Sequence, residues 1–370
     1  KHKDRKIKLG YFSSDFRDHP VLYLLMGILR EHDRSKFELY GYSMGRGGDG
    51  PMREEAKGYF DVFTDIHQLS DIDVVALARE HQLDAAINLN GYTFNSRSNI
   101  FASRVAPVQI NYLGFPSTMG AEFMDYIIAD DVIIPSSHQK FYTEKVLYLP
   151  DAYLPSDDGR PIAKTSTSRS DFGLPEDGFV FCCFNSSYKI GPGEFDVWMR
   201  ILNKVEGSVL WLSSSNKWAV ENLKKEAEKR GVSRDRIIFA SRLEENAEHL
   251  ARHKHADLFI DTFNYNAHTT ASDALWSGLP VVTKQGEQFA ARVASSLLHA
   301  LDLDELVTHS VDEYEQLILS LASDKARLAK IKEKLVENAK TKPAFNTKIY
   351  TQNFEKLINS AVIETPVKDI

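Results

Sequence analysis

Residues 256–284 read ADLFIDTFNYNAHTTASDALWSGLPVVTK, and this stretch decides the fold class. An apolar run at 256–262 leads into a polar loop, then into the helical pattern TTASDALWSG, then into a second apolar run at 280–284. Short apolar runs on either side of a helical pattern are typical of parallel strands that are buried on both faces. The stretch therefore predicts a strand, a helix and a strand of an α/β domain.

The same alternation extends through both halves of the chain. In the second half, apolar runs at 179–185, 208–214 and 236–241 precede the stretch above, and helical patterns separate them. The first half has an equivalent series, with runs at 7–12, 37–44, 84–92 and 108–116. Two such series in 370 residues predict two Rossmann-like α/β lobes rather than one core.

The domain organisation that we expect has four segments. Residues 1–155 form an N-terminal lobe and residues 173–345 form a C-terminal lobe. The stretch between them, 156–172, is polar and rich in Pro, Ser, Thr and Asp, as in a linker. Residues 346–370 form a C-terminal helix and tail. Because ligands of open α/β sheets bind beyond the carboxyl ends of the strands, the sequence predicts a site in the cleft between the lobes.

Composition argues against several classes of protein. The chain is 43% hydrophobic and 26% charged, as globular proteins are, and its net charge of -7 does not suit a broad nucleic-acid interface. Its apolar runs are shorter than the roughly 18 residues that span a bilayer, and the first residues do not read as a signal peptide. We expect a cytoplasmic protein with no membrane partner. The adjacent Cys182 and Cys183 lie in an apolar run, which favours a buried strand over a disulfide.

The loop after residues 256–262 has the strongest chemical signal. His268, Thr269 and Thr270 open a helix, where free backbone N–H groups and the helix dipole favour a phosphate. Asp273, one turn later, could accept a hydrogen bond from a ribose hydroxyl. The alternative is an ordinary threonine N-cap with a carboxylate that complements the dipole.

Three other loops carry candidate residues, each with a simpler interpretation. Lys189 in FNSSYKI could stabilise negative charge on a diphosphate, although isolated surface lysines are common. His19 precedes a helix, so it is either a general base or a helix-start residue. Gly114 and Pro116 indicate a tight turn, with or without a ligand beside it.

The sequence gives no reason to expect a metal or a resident cofactor. Asp71 with Asp73, and Asp302 with Asp304, have the Asp-x-Asp spacing of metal-dependent sugar transferases. Each pair reads as a polar turn at the start of a helix, so we assign it no metal. The sequence contains neither a Gly-x-Gly-x-x-Gly fingerprint nor a Walker loop, which weakens a dehydrogenase or an ATPase interpretation.

Taken together, the ordered motifs resemble the catalytic region of the protein O-GlcNAc transferase and SPINDLY family. The resemblance covers roughly residues 5–355 and includes GYFSSDFRDHP (10–20), NGYT (90–93), FNSSYKI (184–190) and HTTASDALWSG (268–278). It implies the GT-B architecture and an inverting transfer that needs no metal. It also implies a nucleotide-sugar donor, UDP-GlcNAc first, and Ser or Thr hydroxyls of protein acceptors.

The resemblance assigns the nucleotide to the second lobe. Lys189 would neutralise the diphosphate, and Asp273 would bond the ribose. His249 would stack on the uracil, with Arg252 beside the base. The phosphate oxygens would be held at the helix start by Thr269 and Thr270.

The resemblance also assigns residues to the sugar and to the acceptor side. Gly114 and Pro116, together with His268, would border the sugar. His19 matches the family's first-lobe histidine, as the general base or as an acceptor-side contact, and Asp84 is the fallback base.

The chain also departs from the family pattern. Ser186 and Ser187 replace a usual Gln-Leu pair, so a donor contact is either lost or bridged by water. Asn246 stands where a lysine is expected, and Tyr265 replaces a small cysteine of the acetamide pocket, which weakens the preference for an N-acetyl group. The tetratricopeptide repeats that usually hold protein acceptors are absent from this chain.

Two alternatives stay open at this point. One keeps the fold and uses GDP-fucose, as in SPINDLY-type transferases, or UDP-glucose. The other is a catalytically silent nucleotide-sugar sensor or scaffold. The sequence does not fix the donor sugar, the acceptor, the oligomeric state or the general base.

Overall fold

The computed structural model describes residues 5–46, 48 and 50–365, and it divides the chain into two compact units. Unit 1 comprises the residues through Asp158 together with those from Asn346, and unit 2 runs from Gly159 to Phe345. The C-terminal helix, which the sequence suggested as a separate segment, is thus part of unit 1. Most of the expected linker, 156–172, is part of unit 2. The end of the expected tail, 366–370, and residues 1–4 lie outside the described residues.

Unit 1 contains a parallel sheet. Its described strands are β1 (Ile7–Ser13), β2 (Phe37–Ser43), β3 (Val62–Asp65), β4 (Ala85–Asn88), β5 (Val108–Asn111), β6 (Tyr126–Ala129) and β7 (Lys145–Tyr148). They lie in the order β3-β2-β1-β4-β5-β6-β7, and each neighbouring pair is parallel. The strand order reverses between β1 and β4, so the loops that follow these two strands open at the switch point where ligands of such sheets bind.

Unit 2 repeats this plan. Its described strands are β8 (Val180–Cys183), β9 (Val209–Ser213), β10 (Ile237–Ala240), β11 (Leu258–Ile260), β12 (Val281–Lys284) and β13 (Val307–Thr308). Their order is β10-β9-β8-β11-β12-β13, all parallel. The switch point lies between β8 and β11, which places the loops after these strands side by side.

Helices connect the strands of both sheets. In the described residues they are α1 (Pro20–Glu31), α2 (Pro51–Lys57), α3 (Asp71–His81), α4 (Ser98–Ala102), α5 (Pro192–Lys204), α6 (Lys217–Lys229), α7 (Asn246–Ala251), α8 (Thr269–Trp276), α9 (Val293–Ala300), α10 (Val311–Ser323), α11 (Lys325–Thr341) and α12 (Thr347–Glu364). None of these helices is both long and apolar enough to span a bilayer. The predicted α/β class with two Rossmann-like sheets is confirmed.

The helix α12 is joined to the rest of unit 1 by buried polar contacts. His32, at the end of α1, has Nδ1 2.8 Å from Glu355 Oε1 and Nε2 2.7 Å from the hydroxyl of Tyr11. The hydroxyls of Tyr112 and Tyr350 lie 2.6 Å apart. Because buried polar groups need partners, these contacts make α12 part of the core of unit 1.

Candidate functional site

Lys189 lies at the carboxyl edge of the second sheet, in a short 3₁₀ helix that follows β8. Its Nζ donates a hydrogen bond to the carbonyl oxygen of Asn266 at 3.0 Å and stands 3.9 Å from the ring centroid of Tyr265. Burial lowers the pKa of Lys189 to about 8, although the nearby Asp261 carboxylate opposes this shift. The site therefore contains a partly desolvated amine whose charge is sensitive to an incoming anion.

Asp261 organises the loop that carries Lys189's partners. It follows β11, is fully buried, and accepts hydrogen bonds from Thr262 N at 2.8 Å, Ala267 N at 2.7 Å and Thr283 Oγ1 at 2.7 Å. Burial raises its pKa to about 6 despite these bonds. Asp261 was not a candidate from the sequence, although a carboxylate directly after a buried strand is a usable signal.

The start of α8 differs from an ordinary threonine N-cap. The N-cap residue is His268, whose side chain makes no capping bond and instead has Nε2 3.1 Å from the carbonyl oxygen of Ala290. Burial lowers the pKa of His268 well below its usual value, so the ring is neutral. Thr269 opens the helix, and the hydroxyl of Thr270 donates to the side-chain oxygen of Asn185. The helix start is thus fixed by its neighbours and not by a threonine cap.

Asp273 lies among positively charged and imidazole groups. It is 5% exposed; Arg160 Nη1 contacts its Oδ1 at 2.5 Å, and His249 Nε2 lies 3.5 Å from its Oδ2. Burial alone would raise the pKa of Asp273, but His249 and Arg160 outweigh it and the net shift is downward. Arg160 was not a candidate from the sequence.

Arg252 and His249 both lie beside the aromatic ring of Phe184. The Arg252 guanidinium stands 4.4 Å from the ring centroid of Phe184, and Nη1 donates to the carbonyl oxygen of Ser241 at 2.8 Å. Burial lowers the pKa of Arg252 to about 10. Within the described residues its buried Nε has no hydrogen-bond partner. The His249 and Phe184 rings lie 6.0 Å apart, so both predicted base-binding residues, His249 and Arg252, contact Phe184, which was not a candidate from the sequence.

The remaining second-lobe candidates flank Lys189. Ser186 is exposed and precedes the 3₁₀ helix directly. The Tyr265 ring lies 4.9 Å from that of His268 as well as against Lys189. Tyr265 therefore packs between the lysine and the helix start.

His19 is the N-cap residue of α1. Its Nδ1 accepts a hydrogen bond from Val21 N at 3.3 Å, and its Nε2 lies 3.8 Å from Asp15 Oδ1. Burial lowers the pKa of His19, while Asp15 opposes the shift. Since Nδ1 is an acceptor, the neutral ring carries its proton on Nε2. The helix-start interpretation is therefore what the structure shows, and a base role needs a change of this hydrogen bond.

Asp15, which lies beside His19, and Asn90, which contacts Asp15, were not candidates from the sequence. Asn90 follows β4 and donates from Nδ2 to Asp15 Oδ2 at 3.0 Å and to Ser14 Oγ at 2.7 Å. Its Oδ1 accepts from Ser14 N at 2.7 Å. The loops after β1 and β4 thus join at the switch point, and they place a buried carboxylate next to the histidine.

Asp84 does not lie with His19. It directly precedes β4, at the amino end of a strand whose carboxyl end leads to Asn90. Arg5 binds both of its oxygens, at 2.6 and 2.7 Å, and Lys8 N donates to it at 2.9 Å. Because the two ends of a strand lie at opposite edges of a sheet, the fallback assignment of Asp84 as the base is corrected to a structural ion pair.

The turn with Gly114 and Pro116 follows β5, and packing within the chain explains its glycine. A Cβ on Gly114 would lie 1.9 Å from the carbonyl oxygen of Leu89. The preceding Leu113 has φ of 74°, and its carbonyl oxygen accepts a hydrogen bond from the Tyr153 hydroxyl at 2.9 Å. Pro116 is partly exposed. Packing within the chain therefore requires this glycine whether or not a ligand lies beside the turn.

No group of three or more His, Cys, Asp or Glu side chains suited to a metal ion occurs among the described residues. Asp71 and Asp73 lie in the first turn of α3, as the sequence suggested.

Comparison with known proteins identifies the family. Residues 1–164 and 156–354 match the model of glycosyl transferase family 41. The chain belongs to this family. The resemblance stated from the motifs, to a family of glycosyltransferases, is thereby confirmed.

Relatives of this family 41 chain are longer proteins. The probable UDP-N-acetylglucosamine–peptide N-acetylglucosaminyltransferase SEC of Arabidopsis thaliana is 34% identical over 95% of the chain, and a SPINDLY relative from Petunia hybrida is 30% identical over 97%. The chain spans only 36% and 39% of these two relatives.

Solved structures confirm the GT-B fold of this family 41 chain. A lysine-to-methionine mutant of the Thermobaculum terrenum O-GlcNAc transferase superimposes with a TM-score of 0.90 at 29% identity, over 98% of this chain and 69% of that one. The lipopolysaccharide glycosyltransferase WaaG matches with a TM-score of 0.57 at 15% identity, over 97% of this chain and 100% of that one, which supports the fold alone.

Proposed function

We propose that this chain is the catalytic region of a protein O-glycosyltransferase that moves GlcNAc from UDP-GlcNAc to Ser or Thr hydroxyls, with inversion and without a metal. The observation that carries the proposal is the half-buried Lys189, held by Asn266 and Tyr265 beside the start of α8. The relatives from Arabidopsis thaliana and Caenorhabditis elegans, the second 29% identical over 96% of this chain, are named as UDP-N-acetylglucosamine–peptide N-acetylglucosaminyltransferases, which agrees with this donor and with a peptide acceptor.

The arrangement in unit 2 suits a nucleoside diphosphate as leaving group. In the displacement, the acceptor oxygen bonds to the anomeric carbon while the bond to UDP breaks, so negative charge develops on the diphosphate. Lys189 and the backbone N–H groups at the start of α8 would stabilise this charge in a partly desolvated place, where fixed charges act most strongly. These groups would supply the charge neutralisation that a metal supplies in other transferases.

The nucleoside would lie toward α7. His249 would stack on the uracil, Arg252 would border the base, and Asp273 would accept from the ribose. These assignments are supported by two observations. His249 and Arg252 both lie beside Phe184, and His249 also lies beside Asp273.

The acceptor side is proposed in unit 1, at Asp15, His19 and Asn90. We do not assign the base to His19 in its observed hydrogen-bonded form, since Nδ1 is used by Val21 N. In this proposal His19 holds the start of α1 and the acceptor side, while the proton leaves through water or a donor phosphate oxygen.

The test is a transfer reaction with the whole chain in EDTA, using a library of Ser and Thr peptides and three donors: UDP-GlcNAc, UDP-glucose and GDP-fucose. Intact-mass analysis should detect one N-acetylhexosamine, and Lys189→Met should abolish it. Preferential addition of fucose or hexose would replace the donor assignment, and UDP binding without transfer from any donor would favour the sensor or scaffold alternative.

A further inference from the structure

Arg160 is attached to α8 at three points. Its Nη1 contacts Asp273 Oδ1 at 2.5 Å, and its Nη2 donates to Ser272 Oγ at 3.1 Å. Its backbone carbonyl oxygen accepts from Trp276 Nε1 at 3.1 Å. All three partners, Ser272, Asp273 and Trp276, belong to α8. The beginning of unit 2 is therefore bound to the helix whose start is proposed to hold the phosphates.

The Arg160–Asp273 pair is shielded from solvent. Each side chain is only 7% exposed. A carboxylate buried to this degree without a counter-charge is driven toward its protonated form, whereas a guanidinium in contact keeps it ionised. A protonated Asp273 would be a poorer acceptor for a ribose hydroxyl than a carboxylate.

The same carboxylate also reaches the base-binding histidine. His249 Nε2 lies 3.5 Å from Asp273 Oδ2, whereas the hydrogen bond from Arg160 Nη1 goes to Oδ1. Arg160, Asp273 and His249 therefore form one row, in which the arginine fixes the carboxylate and the carboxylate faces the imidazole. A fixed partner sets the tautomer and the orientation of a histidine ring.

We propose that Arg160 is a positioning residue for the nucleoside of the donor and sets the selectivity for ribose over 2′-deoxyribose. This inference rests on the proposed function, because it takes Asp273 as the ribose acceptor. Arg160 does not touch the ligand in this proposal. It keeps Asp273 charged and oriented, and Asp273 discriminates the sugar.

The experiment compares UDP with 2′-deoxy-UDP by calorimetry on the whole chain. The parent should prefer UDP by about tenfold to a hundredfold, the range expected for a hydrogen bond to a charged group. Arg160→Met should reduce this preference to about twofold or less, and Arg160→Lys should restore part of it. The matched control is Arg169→Met, which breaks another ion pair of unit 2, with Asp257 at 2.8 Å, and should leave the preference unchanged.

A double-mutant cycle separates positioning from general loss of structure. If Arg160 acts through Asp273, then Arg160→Met added to Asp273→Asn should cause no further loss of preference. An undiminished preference in both Arg160→Met and Arg160→Lys, with melting temperatures near the parent's, would overturn the proposal. If Arg160→Met does not fold, Arg160→Lys and the Asp273→Asn background decide the question.

The outcomes for the proposed function are distinct from these. A parent that binds neither UDP nor 2′-deoxy-UDP contradicts the donor assignment. If the parent binds GDP more tightly than UDP, the comparison is made with GDP and 2′-deoxy-GDP instead. The Arg160 variants then test the same inference with these two nucleotides.

Discussion

The affinity for UDP should depend on pH through Lys189. Burial holds the pKa of this amine at about 8 in the free protein, and a bound diphosphate favours the charged form and raises that pKa. Binding is therefore accompanied by proton uptake above about pH 8. The affinity for UDP should therefore be constant below the pKa of Lys189 in the free protein and fall as the pH rises through it.

The size of the effect follows from the same pKa of about 8. At about pH 9 only about one-tenth of the amine is charged, so UDP should bind about tenfold more weakly than at about pH 7. If the bound diphosphate restores the ordinary lysine pKa of about 10.4, the affinity continues to fall to about 250-fold below the plateau.

The titratable groups around Lys189 do not contribute to this pH dependence. The pKa of Asp261 is about 6, that of Tyr265 about 12, and that of His268 far below its usual value. The pKa of Cys183 is raised well above its usual value by burial. None of these groups changes its charge appreciably between about pH 7 and about pH 9, where Arg252 beside the proposed base, with a pKa of about 10, also stays mostly charged. The last ionisation of the phosphate, near about pH 6, is then complete.

Calorimetry on the parent and on Lys189→Arg is the assay. Arginine stays charged over this range, so the variant's affinity should be flat with pH. A flat parent, or a variant as steep as the parent, would refute the reasoning.

Three further predictions concern single substitutions. His249→Ala should weaken UDP by about 1–3 kcal/mol, the usual contribution of base stacking, and leave GDP little changed; equal losses for both nucleotides in calorimetry would contradict the base pocket. His19→Ala should lower the free energy of unfolding by about 0.5–2 kcal/mol, because the N-cap of α1 is lost. His19→Asn, which keeps a capping side chain, should have the stability and the transfer activity of the parent. A stable but inactive His19→Asn would return the base role to the histidine. Gly114→Ala should cost about 1–3 kcal/mol of unfolding free energy, because its Cβ meets the carbonyl oxygen of Leu89, and an unchanged denaturation midpoint would argue against that packing.

Most of the strands that the sequence predicts are buried on both faces; β10, at an edge of its sheet, is the exception. β1, β2, β4, β5, β8, β9, β11 and β12 lie in apolar runs, because a strand covered on both sides must be apolar throughout. β3 and β7 lie at an edge of their sheet and are partly exposed, and β13 has only two residues, so they leave weak patterns. β6 is apolar and buried, and it was missed because it follows a motif interpreted as a loop.

Site residues were predictable where a loop follows a strand and opens a helix. Lys189 and the His268 to Asp273 segment were found by that rule, and the structure brings them together through Asn266 and Tyr265. Arg160 was not predictable, since its partner Asp273 lies 113 positions away. Asp84 was misassigned because nearness to a strand in sequence was used without asking at which end of the strand it lies.

The return of α12 to unit 1 has a consequence for how the chain is made. Synthesis proceeds from the amino terminus, so all of unit 2, Gly159 to Phe345, is translated before the last piece of unit 1. Until then His32 and Tyr112 lack Glu355 and Tyr350, and a nascent unit 1 exposes the surface that α12 will cover. Unit 2 is one uninterrupted segment and can finish folding first. A gene fragment that stops before α12 therefore encodes one complete domain and one unfinished domain, and the domain that can be cut out cleanly is the second.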